Sequence, residues 1–175
     1  MAENISYKEK LNHVTTFMFD VDGVLTDGSV FLLKDEYVRI LNSRDGYAIQ
    51  YAVKKGYRVI VITGGSSKRV KERLSGLGVQ EVVLKAGNKL KAYRVLQEKY
   101  NFEDKEVLYM GDDIPDYEVL KKVGVSTCPQ DAAVEIKGIC DYQSPFGGGK
   151  HCVRDVIEQT LRVQKKWFDK SAFDW

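Results

Sequence analysis

Five short apolar runs, nearly unbroken by polar residues, set the limits on what this chain can become. They are Val14–Phe19, Arg58–Ile62, Glu81–Leu84, Glu106–Met110 and Gly124–Thr127. Rich in Val, Ile, Phe and Tyr and continuous rather than alternating, they suit strands buried on both faces of a parallel sheet. Amphipathic stretches of helical length lie between them: Asp45–Lys55, Ser66–Leu77, Asn88–Tyr100 and Pro115–Val123. Strand and helix in turn predict a doubly wound, Rossmann-like α/β fold with right-handed crossovers. One segment breaks the rhythm. Ser29–Leu33 and Tyr37–Leu41, around Lys34-Asp35-Glu36, predict a β-hairpin insert at about residues 28–42. Gly147-Gly148-Gly149, after Ser144-Pro145-Phe146, predicts a flexible loop that ends the sheet region. A helix from about Lys150 to Lys166 and an aromatic tail to Trp175 follow it. At 175 residues the whole, 1–175, reads as one domain, with the Gly-rich tail and helix at about 147–175.

Composition excludes several classes. Hydrophobic residues at 43% and charged residues at 30% are those of a globular chain, not of a disordered or collagenous one. Lys and Arg number 27 against 25 Asp and Glu, a net charge of +2, too near neutral to imply nucleic acid as a partner. Cys128, Cys140 and Cys152 form no CxxC and no even set, which argues for a reducing compartment over a disulfide scaffold or zinc site. The opening MAENISYKEKLNHV carries no apolar signal core, so the expected location is cytoplasmic, with no membrane partner.

In open α/β sheets, ligands sit at the carboxyl ends of the strands. Those ends carry a distinctive set here. The first strand runs into Asp20-Val21-Asp22-Gly23, the second into Thr63-Gly64-Gly65, and the helix after the third opens with Asn88-Lys89. The fourth runs into Gly111-Asp112-Asp113, with Asp116 a turn later. Taken singly, each has an ordinary reading: a strand-end Asp is commonly a turn residue or helix cap, and Thr before Gly is turn chemistry. Together they conflict electrostatically. Two carboxylates about 4 Å apart repel by about 4 kcal/mol at an effective dielectric of 20. A divalent cation resolves this, and an all-oxygen set with no neighbouring His or Cys points to Mg²⁺. Because Mg²⁺ pairs carboxylates with phosphate oxygens, a phosphorylated ligand is implied. Lys89 fits the same picture, since a lysine in a first helical turn opposes the helix dipole unless an anion is bound there. The chemistry that suits the set is phosphoryl transfer through an aspartyl-phosphate. Asp20 would attack phosphorus, Asp22 would protonate the leaving alkoxide and later activate water, and Thr63 and Lys89 would donate to the phosphoryl oxygens.

Asp20-Val-Asp22-Gly-Val-Leu-Thr-Asp27-Gly, Thr63-Gly64, Lys89 and Gly-Asp112-Asp113-Ile-Pro-Asp116 resemble the four motifs of the haloacid dehalogenase superfamily. Asn42-Ser43-Arg44-Asp45-Gly46-Tyr47 and Gly148-Gly149-Lys150-His151-Cys152-Val153-Arg154-Asp155 bring the likeness closest to the 3-deoxy-D-manno-octulosonate (KDO) 8-phosphate phosphatases. The resemblance spans roughly Phe17 to Asp155. It implies a fold without a cap domain and a Mg²⁺-dependent phosphoric monoester hydrolase acting on a keto-deoxy sugar acid phosphate in lipopolysaccharide precursor synthesis. By the same resemblance Asp20 and Asp112 ligate Mg²⁺ by side chain and Asp22 by its backbone carbonyl. Asp113 and Asp116 would stand behind them, and Asn42, Arg44, Asp45, Gly46, Gly64, Arg73 and Lys89 would contact substrate. The family is homotetrameric, with a C-terminal tail that reaches a neighbouring active site.

Two departures stand out: Gly65 where the family often has Arg, and His151 where it usually has Gly. Both bear on the identity of the sugar acid, and a nine-carbon acid 9-phosphate is the alternative substrate. A phospho-receiver or scaffold domain is the alternative of another class. Receiver domains place the phosphorylated Asp on a later strand than the acidic pair and lack the second Asp of Asp20-Val-Asp22, so that pair favours a turnover enzyme.

Overall fold

A computed structural model describes residues 5–34 and 36–174; Asp35, expected from sequence in the hairpin, and Trp175, expected in the tail, lie outside the described residues. Eight strands are formed among them. Six make one sheet: β1 (Thr16–Phe19), β4 (Arg58–Ile62), β5 (Glu81–Val83), β6 (Val107–Met110), β7 (Val125–Cys128) and β8 (Tyr142–Gln143). Their order is β5-β4-β1-β6-β7-β8, every pairing parallel, with Phe19 opposite Val61 on one side and Met110 on the other. This is the expected doubly wound sheet. Its two central neighbours put β1 in the middle, where a run of four buried residues has no face to spare for solvent.

Period-two alternation divides the core. Phe17, Phe19, Val59, Val61, Leu108 and Met110 point to one face, covered by helices α2 (Ser43–Lys54), α3 (Lys68–Gly76) and α7 (Cys152–Val163). Met18, Ile60, Ile62, Val107 and Tyr109 point to the other, covered by α4 (Lys89–Tyr100), α5 (Tyr117–Leu120) and α6 (Val134–Lys137). A short α1 (Tyr7–Lys10), closed by a Ser6–Glu9 capping box, leads into β1.

Several boundaries differ from expectation for local reasons. Helix α2 begins at Ser43 rather than Asp45, because the Asn42 carboxamide oxygen accepts from the amides of Arg44 and Asp45. Ser67 caps α3, which therefore opens at Lys68. The expected helix Pro115–Val123 is split. Asp113 and Asp116 cap a 3₁₀ turn, Ile114–Asp116, and only Tyr117–Leu120 continues as α-helix. The hairpin strands are shorter than expected, β2 (Phe31–Leu33) and β3 (Glu36–Val38), and form a separate two-stranded sheet with Leu32 opposite Tyr37. Strand β8 was not anticipated; two residues are too few to give a sequence pattern.

The glycine run requires a correction. Gly147–Gly149 is a docked segment, not a free hinge: Gly148 donates its N–H to Asp131 Oδ1 at 2.9 Å and Gly149 to the carbonyl of Val24 at 2.8 Å. A Cβ on Gly148 would stand 2.1 Å from the carbonyl oxygen of Gly23, so glycine is required there for close approach. Beyond it, Tyr47 donates to the carbonyl of Ala172, Lys55 pairs with Asp169, and Trp167 meets Tyr51 edge-on, which lays the described tail along its own α2. No helix among the described residues is long and apolar enough to cross a membrane.

Candidate active site

The strand ends that the sequence singles out meet above β1, β4 and β6. Asp20 follows β1, its amide donating to the carbonyl of Met110, so the sheet ladder itself fixes where the carboxylate starts. One oxygen accepts from the Val21 amide at 2.6 Å and the other pairs with Lys89 Nζ at 2.6 Å. Lys89 opens α4 and is buried; its ammonium also reaches Asp116 Oδ1 at 2.6 Å. Asp116 is fully buried and takes a second contact at that oxygen, from Tyr109 Oη at 2.5 Å. Carboxylate oxygens of Asp20, Asp112 and Asp116 all lie within 4.8 Å of one another.

Glycine makes this convergence possible. The turn after Asp20 reverses at Gly23, with φ of +85°, and a Cβ there would fall 1.9 Å from Asp112 Oδ2. The Asp112 carboxylate therefore presses against bare backbone.

Three carboxylates share one ammonium, and the electrostatics show the shortfall. Burial, reinforced by the charge of Asp116, pushes the Asp20 carboxyl up to about 6 against the pull of Lys89. Burial, with the charges of Asp20 and Asp116, pushes Asp112 up to about 7. Burial opposes the Lys89 charge, yet Asp116 and Asp20 outweigh it and hold the ammonium above its ordinary range. Asp112 Oδ1 is buried with no hydrogen-bond partner among the described residues. An orphaned carboxylate oxygen in an all-oxygen cluster is what a hard divalent cation would satisfy, so the residues present fit Mg²⁺.

The remaining expected residues divide. Thr63 follows β4, buried, its Oγ1 accepting from the Gly65 amide at 3.1 Å, which leaves the hydroxyl proton for a ligand. Gly64 faces open space. Asp22 lies outside the carboxylate cluster and is held by Arg39, Nε to Oδ1 at 2.6 Å and Nη2 to Oδ2 at 3.0 Å. Asp113 is exposed and caps the Ile114 amide. Asn42 and Arg44 line a cavity of about 370 Å³ beside Gly149 and His151, with Asn42 Nδ2 donating to the Gly149 carbonyl at 3.0 Å. Arg73 and Gly46 face a small space between α3 and α2. Asp45 has a structural job: it is 1% exposed, and its oxygens accept from the amides of Arg154 (2.8 Å) and His151 (3.3 Å) at the start of α7.

Sequence reasoning missed two residues. Tyr109 reads as one more apolar member of a core strand. Arg39 is a lone cation in an otherwise apolar hairpin arm, Tyr37-Val38-Arg39-Ile40, and that interruption was its one signal.

The pattern of the haloacid dehalogenase-like hydrolase family matches residues 74–148. The 3-deoxy-D-manno-octulosonate 8-phosphate phosphatase KdsC of Escherichia coli K12 is 35% identical over 158 residues, covering 90% of this chain and 84% of that protein. KdsC of Yersinia pestis is 30% identical over 159 residues, 90% and 85%. Among solved structures, the Moraxella catarrhalis 3-deoxy-D-manno-octulosonate 8-phosphate phosphatase, in complex with magnesium ion, phosphate ion and KDO, superposes with a TM-score of 0.89. It is 28% identical, over 92% of this chain and 93% of that one. The cobalt-bound Haemophilus influenzae phosphatase gives 0.88 at 27% identity, over 94% and 98%.

Proposed function

This chain belongs to the 3-deoxy-D-manno-octulosonate 8-phosphate phosphatase family of haloacid dehalogenase-like hydrolases, and from that premise we propose that it hydrolyses KDO 8-phosphate to KDO and phosphate. The observation that carries the reading is the cluster of Asp20, Asp112 and Asp116, two of them buried and paired with Lys89, with one Asp112 oxygen unpartnered among the described residues. Asp20 is the nucleophile. Lys89 fixes one of its oxygens and aims the other, and a bond from Asp20 to phosphorus forms as the bond from phosphorus to the sugar oxygen breaks. Asp22 gives its proton to that oxygen, then takes one from water, which attacks phosphorus and returns Asp20 and inorganic phosphate. Thr63 and Lys89 donate to the phosphoryl oxygens. Asp20, Asp112 and the backbone carbonyl of Asp22 would hold Mg²⁺, which when bound neutralises carboxylate and phosphoryl charge. Asp116, tied to Lys89 and Tyr109, and Asp113 stand behind them.

The assembly belongs to the same proposal: a cytoplasmic homotetramer of one-domain subunits, residues 1–175, with the hairpin in the contacts and the tail of one subunit approaching a neighbour's site. In support, the hairpin presents Phe31, Leu32, Leu33 and Tyr37 to solvent, Leu32 at 76% exposure, an apolar patch that a lone chain leaves uncovered. The tail likewise turns Phe168 and Phe173 outward as a contacting pair. The test is phosphate release from a panel of eight- and nine-carbon sugar acid phosphates with Mg²⁺, before and after chelation. Fastest turnover of KDO 8-phosphate, lost on chelation, is the expected result; turnover that survives excess chelator, or no phosphatase activity at all, overturns it.

A further inference from the structure

Resting on the phosphatase reading above, we propose that Arg39 is a specificity-determining residue that binds an anionic group of the substrate, and that its pairing with Asp22 is where the ligand-free chain parks it.

Three observations converge on Arg39. The side chain is only 10% exposed although it leaves an exposed hairpin, so the guanidinium is carried inward over the strand ends. It spends three of its five N–H donors: Nε and Nη2 on Asp22, and Nη1 on the Tyr37 carbonyl at 3.4 Å, leaving two without a partner among the described residues. A buried cation with unused donors is a poor structural element and a good receptor for a second anion.

The place it occupies is the second observation. A Cβ on Gly65 would lie 3.3 Å from Thr63 Oγ1, 3.6 Å from Arg39 Nη2 and 3.7 Å from Asp22 Oδ2. The guanidinium, the threonine hydroxyl and the Asp22 carboxylate thus surround one point, which the missing side chain at position 65 leaves open. Third, Arg39 also lines a cavity of about 730 Å³ between the hairpin and the start of α3, with Lys34, Ser66, Ser67, Lys68 and Arg69 around it and no carboxylate in its described lining. Arg39 therefore joins two spaces, the phosphoryl end at Thr63 and a cationic groove large enough for a sugar acid.

A bound anion in either space competes with Asp22 for the fork. Once the guanidinium turns to the ligand, the Asp22 carboxylate is released to swing toward the bridging oxygen. Binding and readiness for proton transfer are thereby linked through one side chain. The anion is a phosphoryl oxygen or the sugar acid's carboxylate, and the two are separable by experiment.

The experiment compares wild type, Arg39→Gln and Arg39→Lys by steady-state kinetics on KDO 8-phosphate and on p-nitrophenyl phosphate, which has no carboxylate. Orthophosphate affinity is measured by calorimetry alongside. Arg39→Gln is expected to raise KM for KDO 8-phosphate about tenfold or more, with Arg39→Lys recovering part of the loss. If KM for both substrates rises and orthophosphate binding weakens in step, the anion is the phosphoryl group. If only the KDO 8-phosphate KM rises, it is the carboxylate. Unchanged KM values and orthophosphate affinity in a folded Arg39→Gln protein, with or without a fall in kcat, overturn the inference. Failure of the wild type to turn over KDO 8-phosphate would instead overturn the functional reading, and this inference with it.

Discussion

Asp45 and Asp112 are both largely buried aspartates, and the contrast between them separates scaffold from site. Asp45 accepts backbone N–H groups from the first turn of α7 at both oxygens. Burial still lifts its carboxyl above the ordinary range, but two amides and a helix N-terminus favour its charge and each oxygen accepts a hydrogen bond. Asp112 faces Asp20 and Asp116, has one oxygen with no partner among the described residues, and is lifted to about 7. A carboxylate surrounded by donors holds a fold together; one surrounded by other carboxylates is waiting for a cation.

The comparison breaks most sharply if the cluster can be neutralised without cost to turnover. Asp20→Asn is expected to lower kcat by at least about 10³-fold with the circular dichroism spectrum unchanged. Retention of more than a few per cent activity would remove Asp20 from the nucleophile's position. Asp22→Asn should cost about 10²–10⁴-fold, the usual range for a lost general acid and base.

Next in size is the response to pH and metal. Asp20 and Asp112 titrate higher in the folded chain than the unfolded value of about 3.9. The folded state then binds more protons, so the metal-free protein is expected to be most stable below about pH 4 as far as these groups are concerned, and to lose that contribution as pH rises through about 7. Mg²⁺ should raise the melting temperature at pH 8 by several degrees and at pH 5 by less, since protons and metal compete for the same oxygens. Asp45 shifts in the same sense but has no access to the ion, so a residual fall in stability with pH should persist in excess Mg²⁺. Equal stabilisation at both pH values in thermal scans would mean that the cluster does not hold the ion.

Asp45→Ala reverses the pattern. Loss of a buried acceptor for two amides costs about 1–3 kcal/mol, or about 2–4 °C in melting temperature per kcal/mol for a chain of this size. Turnover of the folded fraction should stay within a few-fold of wild type. A loss as deep as that of Asp20→Asn would return Asp45 to the site. The smallest effect is expected from Tyr109→Phe. It leaves Asp116 its pairing with Lys89, and should lower kcat by about fivefold, one hydrogen bond of roughly 1 kcal/mol, with KM little changed. A rise in KM instead would place the hydroxyl in substrate binding.

What the sequence disclosed and what it hid follow from range. Strands β1, β4 and β6 are legible because a strand buried on both faces must be apolar at every position, and their ends then locate Asp20, Thr63 and Asp112 without further help. Lys89 is legible as a cation on the wrong end of a helix. Arg39 is not, because its partner Asp22 is 17 residues away and is met only through the fold-back of the hairpin. Asp45 was read as a substrate contact because neither its burial nor α7, more than a hundred residues on, is a local property. Gly147–Gly149 was misread for a related reason. Freedom and close approach call for the same residue, and only the carbonyl of Gly23 opposite Gly148 tells them apart.

That docking has a consequence in time. The loop after Asp20 is held by the far end of the chain: Cys152 Sγ lies 3.3 Å from the carbonyl of Val24, 128 residues earlier, and the Gly149 amide donates to the same oxygen. During synthesis, the nucleophile is made early and its loop remains without its buttress until the last strand and the glycine run have left the ribosome. At about 5–20 residues per second, the interval is roughly 6–25 s. Through that interval the loop that carries Gly23 against Asp112 has no buttress, so the site is completed only when the glycine run docks.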